Sequence, residues 1–267
     1  MRRFSISNEG YNVPEYVDYA EYYDYDHAVT EDVPFYLEYA RETGGPILEL
    51  ACGTGRLLLP LAEMGYEVHG VDFSENMLEV ARRKISERGL SHRIKLTCAN
   101  MAAFELKEKS FALAFVAVRS FMHLYTQEDQ LSCLDCVYDH LRPGGLFIVD
   151  VYSPNLRILT QPPGSDFKLR NEFMLPNGHR VTRKDRFVRN DFLNQINQWE
   201  MLFEEFDADG NLARYRLVPM DTCYIFRFEL QLLLEKAGFE VQSIFRDYET
   251  HAYDGTGEII AVAKKPE

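Results

Sequence analysis

The sequence predicts an α/β chain: a doubly wound, mostly parallel sheet into which an antiparallel β-meander is inserted. Three observations carry this. Short apolar runs of strand type at 47–50, 66–71, 94–98, 111–118 and 146–151 alternate with stretches of helical apolar spacing. Residues 46–61, PILELACGTGRLLLPL, put a turn of small residues between one such run and the helix after it, which is how a doubly wound nucleotide-binding fold begins. From Ser153 the texture changes. Alternating stretches divided by Pro176-Asn177-Gly178, Asn190-Asp191 and Asp207-Ala208-Asp209-Gly210 read as about four antiparallel strands between roughly 167 and 220.

With 267 residues, 46% of them hydrophobic and 13% aromatic, the chain can build a full core, as one large domain or one domain with an insertion. The net charge of -13 argues against binding nucleic acid through the overall field. The start, MRRFSISNEGYNV, lacks the apolar region of a signal peptide, and no apolar run approaches membrane-spanning length. Five cysteines without scaffold-like spacing fit a reducing cytoplasm, the expected compartment. Cys133 and Cys136 form a CxxC, with His140 four residues on. Leu131, Leu134, Val137 and Leu141 mark a helical stripe there, so Cys133, Cys136 and Cys98 are expected as small packed hydrophobes and no metal site is expected.

In chain order, residues 11–26 hold six tyrosines and five acids. Too polar for core and too aromatic for a linker, they read as a solvated surface tail or as a flap over a pocket. Residues 30–41 read as a helix, capped by Thr30 or Asp32, with Pro34 in its first turn and Gly44-Gly45 ending it. The first strand carries Glu49 near its end. Ala51, Gly53 and Gly55 then let the backbone pass close to a ligand and reach positive φ. The helix behind them, resuming at Arg56, offers a carboxylate or phosphate its N-terminus. A dinucleotide needs G-x-G-x-x-G; here the third position is Leu58 and the pattern is E-x-A-x-G-x-G.

Asp72 follows the second strand, where a carboxylate can accept two hydrogen bonds from a ribose diol. Phe73 offers a face to an adenine, and Ser74 caps a helix with the stripe Met77, Leu78, Ala81, Ile85. The third strand leads into Ala99-Asn100-Met101-Ala102. The run 111–118, FALAFVAV, reads as a central strand buried on both faces. It delivers Arg119-Ser120-Phe121-Met122-His123-Leu124 to the carboxyl end of the sheet, where open α/β sheets bind ligands. His123 is the base near neutral pH in that loop; the plain alternative is a histidine bonded to backbone or water.

Thr126 with Asp129 resembles a capping box opening a helix through Leu141, which Arg142-Pro143-Gly144-Gly145 stops before a fifth strand. In 193–203 the residues Leu193, Trp199, Met201 and Phe203 form one apolar face, for packing or as an acceptor wall. Lys168, Arg170, Arg180, Arg183, Lys184, Arg186 and Arg189 either pair across strands with Glu200, Glu204 and Glu205 or hold an anionic group. A helix at 228–237 stopped by Gly238, and antiparallel strands at 239–246 and 258–264, complete the chain.

The ordered series of E-x-A-x-G-x-G, Asp72, Asn100 and L-R-P-G-G before a strand resembles the class I S-adenosylmethionine (SAM) dependent methyltransferases, over roughly 19–146 and again in the C-terminal helix and strands. The resemblance implies a Rossmann-like sheet of seven strands, with SAM as methyl donor and S-adenosylhomocysteine as product. It implies cofactor contacts from Glu49, Ala51, Cys52, Gly53, Gly55, Asp72, Phe73, Met77, Asn100, Met101, Ala102 and Val118. In that family Asp72 would hold the ribose, Met77 would flank the base, and Asn100 would stand where an acid usually binds the adenine amino group. Residues 19–24 are similar to the N-terminal segment of small-molecule members, which implies that Tyr23, with Tyr22 in reserve, reaches the methionine carboxylate. Around His123 the likeness is to N,N-dimethyltransferases of amino sugars, which implies this histidine beside the accepting amine, as the catalytic candidate.

The expected partner is then a small-molecule acceptor methylated on nitrogen or oxygen, with no membrane partner. A tRNA or other nucleic-acid methyltransferase, a non-catalytic SAM-binding protein and an NAD-linked oxidoreductase are the rival readings. The expected division is a flap at 1–29, a SAM-binding domain at 30–152 and 221–267, and an acceptor lid at 153–220. Monomer and homodimer, and the identity of the acceptor, stay open.

Overall fold

The structure, a computed structural model, describes residues 19–27 and 30–267. The chain runs α1 (Ala20–Asp26), α2 (Val33–Thr43), β1 (Ile47–Leu50), α3 (Leu58–Glu63), β2 (Val68–Asp72), α4 (Glu75–Glu87), β3 (Ile94–Cys98), β4 (Phe111–Val116), a 3-10 turn (Ser120–His123), α5 (Gln127–His140) and β5 (Leu141–Tyr152). A short α6 (Leu156–Leu159) leads to β6 (Lys168–Met174), β7 (Arg180–Asp191), β8 (Ile196–Phe206), β9 (Leu212–Pro219) and β10 (Thr222–Cys223). Then α7 (Arg227–Lys236), β11 (Glu240–Phe245) and β12 (Glu258–Lys264) close the chain.

The first sheet has seven strands in the order β11-β12-β5-β4-β1-β2-β3. Strands β1 to β5 are parallel, while β12 runs antiparallel to both β5 and β11. β4 lies at its centre and every residue from Phe111 to Val116 is buried, as its unbroken apolar run requires. One face carries α5 and α7 over Leu113's neighbours Ala114 and Val116; the other carries α2, α3 and α4 over Leu113 and Phe115. Strand order reverses between β1 and β4, so their carboxyl ends open onto the crevice where ligands bind in such sheets.

Gly70 shows how tightly this crevice is floored. A Cβ there would stand 2.7 Å from Cys52 Sγ and 2.8 Å from Leu58 Cδ1, so only glycine lets the turn after β1 settle on β2.

Several boundaries differ from the sequence reading. α2 begins at Val33 and no side chain caps it, because Asp32 is engaged by Arg56 instead. The segment after Gly55 makes successive turns before α3 starts at Leu58, leaving a helix of 6 residues where a longer one from Arg56 was expected. β5 starts at Leu141, since Arg142-Pro143-Gly144-Gly145 is taken up as an irregular strand start on β4 rather than a separate stop. Cys98 is exposed, not packed, because it lies at the end of the edge strand β3. Cys133 is buried in the core, and His140 bonds to the Leu106 N–H and the Cys136 carbonyl.

The insert forms a second, antiparallel sheet of five strands, with β8 pairing β7, β9 and β10. β10 lies beyond the expected insert boundary at 220 yet belongs to this sheet. Leu193 is 91% exposed in the β7–β8 turn, so the apolar face begins only within β8, at Trp199, Met201 and Phe203. That inner face covers α1. Tyr19 and Tyr22 are fully buried with Met201, Phe203, Val218 and the α4 residue Met77, so part of the tyrosine-rich segment is core, contrary to its polar composition. Phenolic oxygens make this affordable by finding partners: Tyr22 donates to Glu205 at 2.6 Å and Tyr19 to Asp26 at 2.8 Å. Residues 11–18 of that segment lie outside the described residues.

Most of the basic residues in the insert are paired. Arg180 meets Glu172, Lys184 meets Glu204, Arg186 meets Glu200, Arg170 meets Asp185, and Arg183 reaches both Asp185 and Asp26. Arg189 donates to Gln198. Cross-strand pairing therefore accounts for this patch. Among the described residues, no helix is long and apolar enough to cross a membrane.

Candidate active site

The strand ends bring Tyr23, Glu49, Ala51, Cys52 and Val118 to one small cavity, while His123 is not among the residues lining it. Glu49, in β1, is buried between Gly70 of β2 and Phe115 of β4. Its Oε2 is sealed from solvent without a hydrogen-bond partner among the described residues. Burial pushes its carboxyl well above the ordinary value, and Arg56 draws it part of the way back. A buried carboxylate oxygen left unpartnered is costly, and a cationic ligand group would satisfy it.

The turn after β1 is shaped by Asp72. The Gly53 N–H donates to Asp72 Oδ2 at 2.7 Å and the Ser74 N–H to Oδ1 at 2.8 Å. Burial raises the Asp72 carboxyl and these backbone donors lower it, the rise prevailing. Each oxygen keeps a second lone pair for a ligand hydroxyl. Gly53 has φ 53°, and a Cβ on it would come within 3.9 Å of the Tyr23 ring. Ala51 shares this left-handed conformation at φ 53°.

Tyr23, Glu49, Ala51, Cys52 and Val118 line one small cavity together with Arg56, Ala117 and Ser120. The Tyr23 ring stacks on His27, with centroids 4.7 Å apart, and burial pushes its phenol up to about 12. Arg56 and Ala117 were missed by the sequence reading, while Ser120 belongs to the loop it placed at the carboxyl end of the sheet. Arg56 holds Asp32 through two bonds of 2.6 Å, and only the sequence offset from the glycine turn could have hinted at it.

The other expected contacts gather along the β2 and β3 ends, which pair Asp72 with Cys98. Phe73 is half-buried, and Met77 is buried at the α1–α4 seam. Asn100 spends its Oδ1 on the Ala102 N–H at 2.8 Å, so that N–H is committed within the loop. Met101 and Ala102 pack against the core. Gly55 keeps φ 81°, and it is this left-handed backbone that calls for glycine, since a Cβ would meet Ala81 only at ordinary contact distance.

After β4 the chain kinks. Val118 and Arg119 both sit at positive φ, 55° and 61°, which for a β-branched residue is a strained state. Asp150, wholly buried at the end of β5, accepts the Arg119 N–H on both oxygens at 3.2 Å and the Tyr248 hydroxyl at 2.7 Å. Burial pushes the Asp150 carboxyl up to about 6.

His123 closes the following 3-10 turn, half-buried. Its Nδ1 lies 3.1 Å from the Asp221 carbonyl oxygen, which also accepts from Tyr125 OH at 3.1 Å. A carbonyl only accepts, so Nδ1 carries the proton. Burial lowers its pKa, so the neutral ring prevails with Nε2 as the basic nitrogen.

An open α/β sheet with an acid buried in β1, a two-glycine turn and an acid ending β2 is the arrangement of the class I SAM-dependent methyltransferases, which the chain resembles; it is a SAM-dependent methyltransferase. Residues 47–145 match the family described as "Methyltransferase domain". The chain is similar to the putative methyltransferase YqeM of Bacillus subtilis (strain 168), 27% identical over 238 residues, covering 87% of this chain and 90% of that one. Among solved structures it resembles the CcbJ methyltransferase from Streptomyces caelestis, with a TM-score of 0.80, 26% identity, and coverage of 96% of this chain and 100% of that one. It shares the fold of the sugar N-methyltransferase KedS8 from Streptoalloteichus sp ATCC 53650, with a TM-score of 0.72, 21% identity, and coverage of 100% and 99%.

The residues present fit SAM. The orphaned Glu49 oxygen suits an ammonium, and Asp72 keeps lone pairs for a ribose diol. When bound, SAM supplies a methyl group already activated on sulfonium.

Proposed function

We propose that this chain methylates a nitrogen or oxygen of a small-molecule acceptor enclosed between the 3-10 turn and the inner face of the second sheet. One observation carries the reading: the Asp221 carbonyl, just before β10, holds the neutral His123 ring at the mouth of β4. In this reading the segment that leads into β10 orients the base. Here α1 is the described part of a flap, 30–152 with 221–267 bind the cofactor, and 153–220 act as the lid, β10 extending the lid sheet.

Glu49 meets the amino group of SAM, Tyr23 its carboxylate, Asp72 its ribose, and Phe73 and Met77 its base, the Asn100–Ala102 loop bordering the base with its own amide hydrogen bond already made. The chain then has two tasks. It must align the acceptor lone pair with the methyl, a contribution of at most about 7–11 kcal/mol. It must also remove the acceptor's proton, the task this reading gives to His123, for about 10² to 10⁴ in rate. Pairing of the basic strand residues with insert acids favours a small neutral acceptor over nucleic acid.

The test is His123→Gln in a methyl-transfer screen over amines, phenols and carboxylates. Expected is kcat lower by about 10² or more with the SAM dissociation constant unchanged by calorimetry. Unchanged turnover would remove His123 from the mechanism.

A further inference from the structure

His27 follows the last turn of α1 and takes no part in the chemistry above, yet a chain of bonds reaching into the second sheet fixes its ring. Its backbone N–H donates to the Tyr23 carbonyl at 2.8 Å, and residues four apart share a helix face. On that face the imidazole lies flat on the Tyr23 phenol, with centroids 4.7 Å apart and planes 6° from parallel. Tyr19, four residues before Tyr23, packs edge-on against both rings, at 5.5 and 5.9 Å.

The Tyr19 hydroxyl lies 2.7 Å from His27 Nδ1 and 2.8 Å from Asp26 Oδ2. Asp26 is held by Arg183 of β7 at 2.6 Å and by the Asn171 amide of β6 at 3.2 Å, so it stands as a carboxylate and only accepts. Burial pushes the Tyr19 phenol far up, so it keeps its proton. That proton goes to Asp26, and the phenol oxygen therefore accepts from His27 Nδ1–H. The tautomer is set, with Nε2 bare, and the ring turns only by breaking this bond. Burial lowers the His27 pKa. Asp26 opposes the fall, while Arg183, Arg56 from the glycine turn and Arg119 from the end of β4 add to it, so the neutral ring prevails. Around Tyr23 itself stand Arg56, Asp72, Glu49 and Asp24.

We infer that His27 is a positioning residue for the cofactor carboxylate, acting through Tyr23; this rests on the reading above in which Tyr23 meets that carboxylate. Tyr23 lines the cofactor cavity and borders the glycine turn, where a Cβ on Gly53 would come within 3.9 Å of its ring. A phenol turns about two side-chain bonds, and the stacked imidazole removes that freedom before a ligand arrives. The stack also has an electrical consequence. An imidazolium against the phenol face draws on its electron density and makes its O–H a better donor to an anion. Protonation of His27 therefore tightens the grip on a carboxylate.

The experiment uses the full chain and two ligands: S-adenosylhomocysteine, and S-adenosyl-3-thiopropylamine, which keeps the amine and lacks the carboxylate. Calorimetry reads both affinities at about pH 8 and about pH 5.5, either side of the ordinary histidine range. At the higher pH, Tyr23→Phe and His27→Ala are each expected to weaken S-adenosylhomocysteine at least fivefold and to leave the thiopropylamine within twofold. His27→Phe keeps a ring against Tyr23 and is expected to stay within twofold of wild type for both. The ratio of the two affinities is expected to rise at least threefold at the lower pH in wild type and to stay flat in His27→Phe. Glu49 meets the amine of both ligands, so its own titration cancels in that ratio. Tyr19→Phe, which removes the bond to Nδ1 but keeps the ring, is the second route and is expected to lose S-adenosylhomocysteine selectively. Folded His27→Ala and Tyr19→Phe chains that weaken both ligands alike, or neither, overturn the proposal, as does a ratio with the same pH dependence in wild type and His27→Phe. If Tyr23→Phe itself treats the two ligands alike, the carboxylate reading of Tyr23 fails, and the proposal with it.

Discussion

Glu49 and Asp150 are two buried acids with opposite assignments. Glu49 has an oxygen without a partner and faces the cofactor cradle; Asp150 has both oxygens filled by Arg119 and Tyr248 and holds the strained turn. Glu49→Gln keeps the volume and loses the charge, so SAM should bind at least tenfold more weakly, about 1.4 kcal/mol, by calorimetry. An unchanged affinity would show that Glu49 does not meet the ammonium. Asp150 makes a pH prediction. Its carboxyl titrates near 6 in the folded chain against 3.8 as the ordinary value. The folded state therefore holds the proton longer, and stability contributed at low pH is lost as pH rises from about 4 to about 6. The loss is on the order of 3 kcal/mol. Asp150→Asn lacks this slope. Urea denaturation at pH 4 and pH 7 should find the variant's deficit relative to wild type larger at pH 4 by that amount; a deficit independent of pH would refute the assignment.

Among the elements, α1 was the least legible. The glycine turn, the acid after β2 and the apolar run of β4 were readable because each answers to one local rule: small residues for close approach, a strand-end carboxylate, and double-sided burial. α1 answers to none. Its tyrosines look half-exposed in sequence, and their burial depends on Glu205 and Phe203, nearly two hundred residues away. Likewise Arg56 and Asp150 had no periodic signal, because their roles exist only once distant elements meet. Tyr22→Phe should cost about 1–3 kcal/mol in denaturant unfolding, since Glu205 loses a buried donor while His179 and Arg214 still hold it. A loss near zero would mean that water replaces the phenol and that α1 is held by its rings alone.

Across the whole molecule, α1 ties two bodies together. Toward the second sheet, Arg183 pairs with Asp26 and Arg214 with Glu21. Toward the cofactor cradle, Asp24 accepts from Thr54 at 2.6 Å and from Lys84 at 2.8 Å. Tyr23 closes the cradle from the same helix. SAM should therefore slow hydrogen exchange in α1 and in the inner strands β7 and β8 together, although only α1 reaches the cradle. Protection confined to the glycine turn would show that the second sheet moves independently.

The sheet over the site contains Trp199, and the chain has no other tryptophan. Its indole lies half-buried on the inner face, against Phe187. Excited at the red edge, where phenols are dark, the protein consequently glows from a single point, set on the inner face of the second sheet beside Phe187. A chain of this design carries its own optical probe: seating a substrate should change the colour or brightness of one emitter, with no label attached.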